Sequence, residues 1–97
     1  MTKAQIIREV KEHVQKCGGS YLEWYCGVAA DPRGRLFNDH NVSEKDGSWI
    51  YRACANSDEA REIEEHFLDA GMKGGSGGGG DDTTAVYAYK ITSSTRE

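Results

Sequence analysis

Several absences in this chain exclude whole classes of protein. No apolar run approaches the roughly 20 residues a helix needs to cross a bilayer, which excludes a helical membrane span. The first sixteen residues are charged and amphipathic, so no secretory signal is expected there. An excess of basic charge is missing too. The net charge is −4 and the isoelectric point is near 5.3, so the chain as a whole lacks the footprint of a dedicated nucleic-acid binder. Cysteine is sparse and odd in number, with Cys17, Cys26 and Cys54 and no Cys-x-x-Cys. A secreted disulfide scaffold is excluded on that pattern, and a cytoplasmic location is expected. Asn41-Val42-Ser43 then reads as a polar loop rather than a glycosylation site. There is no internal repeat.

What is present fits one small domain of 97 residues with a modest core. Glycine is concentrated: of twelve in the chain, seven lie between Gly71 and Gly80. Gly75-x-Gly77-x-x-Gly80 matches the dinucleotide fingerprint in letters only, because it follows a helix pattern and precedes a strand pattern, the reverse of the required order. Residues 71–84 are expected to form a flexible loop at one end of the fold, able at most to cover a neighbouring face.

The pattern of apolar residues gives alternating elements. Thr2 and Gln5 make a capping box, Ile6, Ile7, Val10, Val14 and Cys17 recur at helical spacing, and Gly18-Gly19 stops the helix, so residues 3–17 are expected to be helical. The aromatic-rich segment 20–30 reads as a central strand carrying both Tyr21 and Tyr25. Asp31-Pro32 opens a short helix reaching about His40. A strand over 49–54 follows, then a helix capped by Asn56 or Ser57, with Ala60, Ile63, Phe67 and Leu68 on its apolar stripe. Residues 85–92 make the last strand, and 93–97 read as a frayed tail. The expected fold is mixed α/β (α+β), in the order αβαβαβ, with a three-stranded sheet flanked by helices. The first helix, within 1–19, reads as an extension of a core spanning 20–92.

His13 and Cys17 are spaced i, i+4 and could share a zinc face, but His40 and His66 offer no matching pair, so small buried thiols are the expectation. Arg33, Arg35, Arg52 and Arg61 cluster in the middle of the chain and leave room for a local basic face.

Tyr25-Cys26-Gly27 on a strand, Arg35 eight residues after Gly27, and Ala60-x-x-x-Glu64-x-x-x-Leu68 on a helix together resemble the GIY-YIG nuclease superfamily, over about residues 20–91. The resemblance implies phosphodiester hydrolysis. Glu64 would hold a divalent ion, Mg²⁺ or Mn²⁺, against the scissile phosphate. Arg35 would offer its fork of donors to that phosphate, and Tyr25 would position the attacking water, with His40 and Tyr21 as further candidates. Arg33, Arg35, Arg52 and Arg61 would contact nucleic acid. The sequence departs from the family pattern in three places. Tyr21 is only four residues before Tyr25, His40 falls one residue later than the family histidine, and no Asn follows Asn56. A chain of this length has no space for a separate DNA-binding domain, so targeting is expected to need a partner protein. The alternative is a catalytically inactive module of the same fold that binds protein or peptide. The plainer reading of each residue is structural: Tyr25 as a sheet aromatic, Arg35 as a surface ion-pair partner, Glu64 as one of several acids on a solvated helix face.

Overall fold

Thr2 begins the first helix. Its hydroxyl accepts from the Gln5 amide at 3.2 Å while the Gln5 side chain accepts from the Thr2 amide at 2.8 Å, so two of the free N–H groups of the first turn are satisfied. In a computed structural model of the chain, which describes residues 2–74 and 82–97, this helix, α1, spans Lys3–Cys17 and ends at Gly18, whose φ of 88° suits a residue without Cβ. A single 3₁₀ turn, Tyr21–Glu23, leads into strand β1, Trp24–Ala29. Asp31 caps the next turn by accepting from the Gly34 amide at 3.1 Å. That segment, α2, is one α turn at Pro32–Gly34 continued by a wide π turn at Arg35–Asp39. Strand β2 (Trp49–Ala53), helix α3 (Ser57–Asp69) and strand β3 (Ala85–Lys90) complete the chain. Asn56 is the cap of α3, accepting from the Glu59 amide at 2.8 Å.

The sheet is antiparallel and ordered β1-β3-β2. The last strand in sequence is therefore the central one. Segment 20–30, expected to be central because it is apolar on both faces, supplies an edge strand instead. Its outer edge is covered from another direction: the Lys73 amide donates to the Trp24 carbonyl and the Cys26 amide donates to the Lys73 carbonyl, both at 2.8 Å. This pairing closes hydrogen bonds that a bare edge would leave open.

Alternation along the strands divides the protein into two layers. On one face, Trp24, Cys26, Val28, Ile50, Val86 and Ala88 meet Ile6, Val10 and Val14 of α1 and Ala60, Ile63 and Phe67 of α3. The first helix is thus part of the main core rather than an appendage to it. Each large side chain buried here contributes about 1.5–3 kcal/mol. On the other face, Tyr25, Tyr87 and Tyr89 pack with Leu36 and Val42, and Phe37, Trp49 and Tyr51 border them. Among the described residues no long helix covers this face; α2, the loop after it and the C-terminal segment do.

Two local expectations are corrected. Tyr21 does not share a strand with Tyr25. It sits in the 3₁₀ turn and packs edge-on against Phe67 with ring centres 6.0 Å apart, in the helix layer. The C-terminal segment is not frayed. Asn41 donates to the Ser94 carbonyl at 2.8 Å and the Arg96 amide donates to the His40 carbonyl at 2.7 Å. Most of the glycine-rich loop, residues 75–81, lies outside the described residues. No helix among the described residues is long and apolar enough to cross a membrane.

Candidate functional site

The face opposite the long helices gathers the polar groups. The π turn has a structural consequence here. The His40 amide donates to the Arg35 carbonyl five residues back, at 2.9 Å, so the turn takes in one residue more than an α turn would. His40 is thereby carried under the sheet face while Arg35 stays at the surface. The Arg35 guanidinium pairs with Asp39 at 3.3 Å and donates toward the Tyr87 hydroxyl.

Behind Arg35 runs a buried hydrogen-bond chain. The Tyr87 hydroxyl donates to His40 Nε2 at 2.8 Å, and His40 Nδ1 donates to the Arg96 carbonyl at 2.6 Å. The Tyr89 hydroxyl donates to the same carbonyl at 3.1 Å. This assignment of protons satisfies every partner, since a neutral imidazole has one donor and one acceptor. Tyr25 stacks beside Tyr89 with ring centres 5.2 Å apart and planes 21° apart, and its ring lies 4.7 Å from the imidazole. Tyr25, Tyr87 and Tyr89 have almost no exposed surface, and His40 is 4% exposed.

Burial dictates the electrostatics. It pushes the Tyr87 hydroxyl up to about 12, against the lowering effect of the Arg35 guanidinium. It likewise raises Tyr89, with Tyr25 and Tyr87 adding to the effect. Burial holds His40 below its ordinary value, and Arg35 adds to that, while the Arg96 carbonyl opposes it. At neutral pH Tyr87, Tyr89 and the imidazole are therefore neutral, and one cation, Arg35, reaches solvent. Such a set can bind an anionic oxygen through Arg35. The raised Tyr87 and Tyr89 hydroxyls hold their protons near neutrality.

Next to Arg35 the same face carries a second cation and three half-buried rings. Arg33 pairs with Glu44 and lies over the Phe37 ring at 5.1 Å. Phe37 meets Trp49 edge-on at 5.0 Å, and Trp49 lies within 8° of parallel to Tyr51 at 6.0 Å.

The candidates from the sequence divide between the two layers. Tyr25, Arg35 and His40 come together. Glu64 and Tyr21 do not join them. Glu64 lies on α3 in the helix layer, where its carboxylate acts on the Cys26 thiol, and burial and Glu65 raise it while Arg61 opposes. Tyr25 and Cys26 are adjacent on β1, so their side chains take opposite faces of the sheet. The basic residues separate in the same way. Arg33 and Arg35 sit on the open face, whereas Arg52 reaches across to Glu9 of α1 at 2.7 Å and Arg61 is on α3 beside Glu64.

Glu64, the residue expected to hold a divalent ion, stands in the helix layer and away from Arg35. Among the described residues no group of three or more His, Cys, Asp or Glu side chains is placed to hold a metal ion. Glu64 has an acid and an arginine as its charged neighbours, and among the described residues the carboxylate bonded to Arg35 is Asp39.

Tyr87 is a residue of the site that the sequence did not single out. Tyr87 reads as one more aromatic of an alternating strand. A visible signal was the glycine inside β1. A Cβ at Gly27 would lie 2.5 Å from the Tyr87 hydroxyl, so this glycine marks the close approach of Tyr87 across the β1–β3 pair. Comparison of the chain with protein-family models, with curated proteins and with solved structures finds no match.

Proposed function

We propose that this chain is a nucleic-acid-contacting module that receives a backbone phosphate at Arg35, with the catalytic half of a GIY-YIG-like site missing. The observation that carries this reading is the exposed Arg35 guanidinium, held at one end by Asp39 and backed by the Tyr87–His40 chain on an aromatic sheet face. A guanidinium fixed in this way keeps donors for a phosphate and loses little side-chain freedom on binding. Phe37, Trp49 and Tyr51 give flat apolar surface beside it, of the kind on which bases stack. The separation of Glu64 from Arg35 argues against metal-assisted hydrolysis by that pair. The excess of acid elsewhere in the chain makes binding weak and confined to this face, so a partner protein would supply targeting. One observation favours the second reading, a peptide-binding module: the three half-buried rings would serve a peptide side chain as well as a base.

The test is anisotropy of a labelled single-stranded oligonucleotide titrated with the chain at low and moderate salt, with plasmid nicking in Mg²⁺ or Mn²⁺ run alongside. Expected are binding whose log affinity falls with log salt at a slope of about −0.7 to −1.4, matching one or two phosphates of a single strand, and no nicking. Absence of salt-sensitive binding overturns the nucleic-acid reading. Nicking abolished by Glu64→Ala overturns the loss of catalysis.

A further inference from the structure

A second cluster of reactive groups lies at the end of α1, away from Arg35. Cys17 Sγ is 3.5 Å from His13 Nε2, one helical turn back. The imidazole is held from two other directions: the Trp49 carbonyl accepts from it, and the Trp24 ring meets it edge-on at 6.0 Å. Nucleophile, base and a third group that orients the base are thus in series. A groove opens at the imidazole, lined by His13 with Ile50, Tyr51 and Arg52 of β2, and an adjoining one is lined by Glu9, Glu12 and Lys16. Cys17 itself is half-buried.

We infer that Cys17 and His13 form a thiol site that reacts with a small hydroperoxide. The charged groups around the pair come from both elements packed there. Lys16 of α1 and Arg52 of β2 are cations facing His13, Glu9 is occupied by Arg52 at 2.7 Å, and Glu12 pairs with Arg8 at 3.6 Å. Burial holds His13 below its ordinary value, with Arg52 and Lys16 adding to the effect, so its Nε2 is bare at neutral pH and able to take a proton. In the reaction the Cys17 sulfur attacks one peroxide oxygen. The S–O bond forms as the O–O bond breaks, and the thiol proton passes through His13 Nε2 to the leaving hydroxide, which departs as water. The sulfur loses two electrons to become a sulfenic acid and the peroxide gains them. The other two thiols lack these features. Cys26 is fully buried, and the half-buried Cys54 has no histidine partner among the described residues: its thiol lies 4.0 Å from the Arg52 carbonyl, and burial and Glu59 push it up against the opposing Val86 backbone hydrogen bond.

The chain therefore contains its own controls. It is treated at neutral pH with iodoacetamide, and separately with hydrogen peroxide plus dimedone, and each cysteine is followed by peptide mass spectrometry. Cys17 is expected to react roughly tenfold faster than Cys54 in both assays, with Cys26 silent. His13→Gln keeps a donor for the Trp49 carbonyl and removes the base, and should bring Cys17 to the Cys54 rate without changing Cys54. Equal rates for Cys17 and Cys54 in the unmodified chain overturn the inference, whatever the variant does. An unchanged Cys17 rate in His13→Gln, with Cys26 still protected to certify the fold, overturns it as well.

Discussion

Replacing Gly27 with alanine tests how tightly the tyrosine face is built. The new Cβ would stand 2.5 Å from the Tyr87 hydroxyl oxygen, 2.6 Å from Cζ and 2.9 Å from Cε2. Tyr87 has nowhere to retreat: it is 2% exposed, its hydroxyl is bonded to His40 at 2.8 Å, and Tyr25 stacks against it. Overpacking of this kind costs about 1–3 kcal/mol. Pushing the hydroxyl away also strips the buried His40 nitrogen of its donor, costing about 1–3 kcal/mol more. Loss of glycine's freedom in the unfolded chain offsets about 0.4–1 kcal/mol. The net is a loss of about 1–5.5 kcal/mol, which for a chain of this length lowers Tm by at least roughly 4 °C. Urea denaturation of Gly27→Ala, alone and combined with Tyr87→Val, reads it directly. With the ring gone the alanine should be nearly neutral, giving a coupling energy above about 1 kcal/mol. A single-variant cost below about 0.5 kcal/mol would refute the reasoning.

Other consequences can be checked in the same assay. His40 is held below its ordinary value of 6.5 in the folded chain. The unfolded chain then takes up a proton first as pH falls, so stability present above 6.5 is lost on descending toward the lower folded value. His40→Gln should flatten the stability profile over that window, and an unchanged slope would contradict the burial argument. Asn56→Ala removes the side-chain acceptor of the Glu59 amide and should cost about 1 kcal/mol by denaturation, whereas Ser57→Ala should cost less as far as capping is concerned. Arg35→Ala breaks both the half-exposed pair with Asp39 and the hydrogen bond to the buried Tyr87 hydroxyl and should cost about 1–3 kcal/mol by denaturation, so its effect on binding is read at temperatures where the variant is shown to be folded.

Local chemistry was legible wherever one segment determined its own structure. The Thr2–Gln5 box, the Gly18 stop and the Asn56 cap set both long helices to within a residue, because caps act over three or four residues. Sheet order was not legible. Segment 20–30 is apolar on both faces, as a central strand would be, yet its second face is buried by α2 and the C-terminal segment and its edge by Lys73, none of which a local pattern reveals. The site was half legible. Spacing from Gly27 to Arg35 and His40 runs through one continuous strand and turn, so these residues could be placed together. Glu64 is tied to them only through the fold, and the layer to which α3 belongs separates it from Arg35. The same holds for Tyr87, whose role depends on its pairing with β1 some sixty residues earlier.

The claim that the open sheet face binds a phosphate is tested most directly by comparing arginines on the two faces. Oligonucleotide affinity at low ionic strength is measured for the unmodified chain, Arg35→Ala and Arg61→Ala. Arg35→Ala should weaken binding by roughly ten- to a hundredfold, the value of one charge-assisted contact of about 1.5–3 kcal/mol. Arg61→Ala should leave it within about twofold, because Arg61 lies in the helix layer. Equal losses in the two variants, or loss in Arg61→Ala alone, would contradict the account.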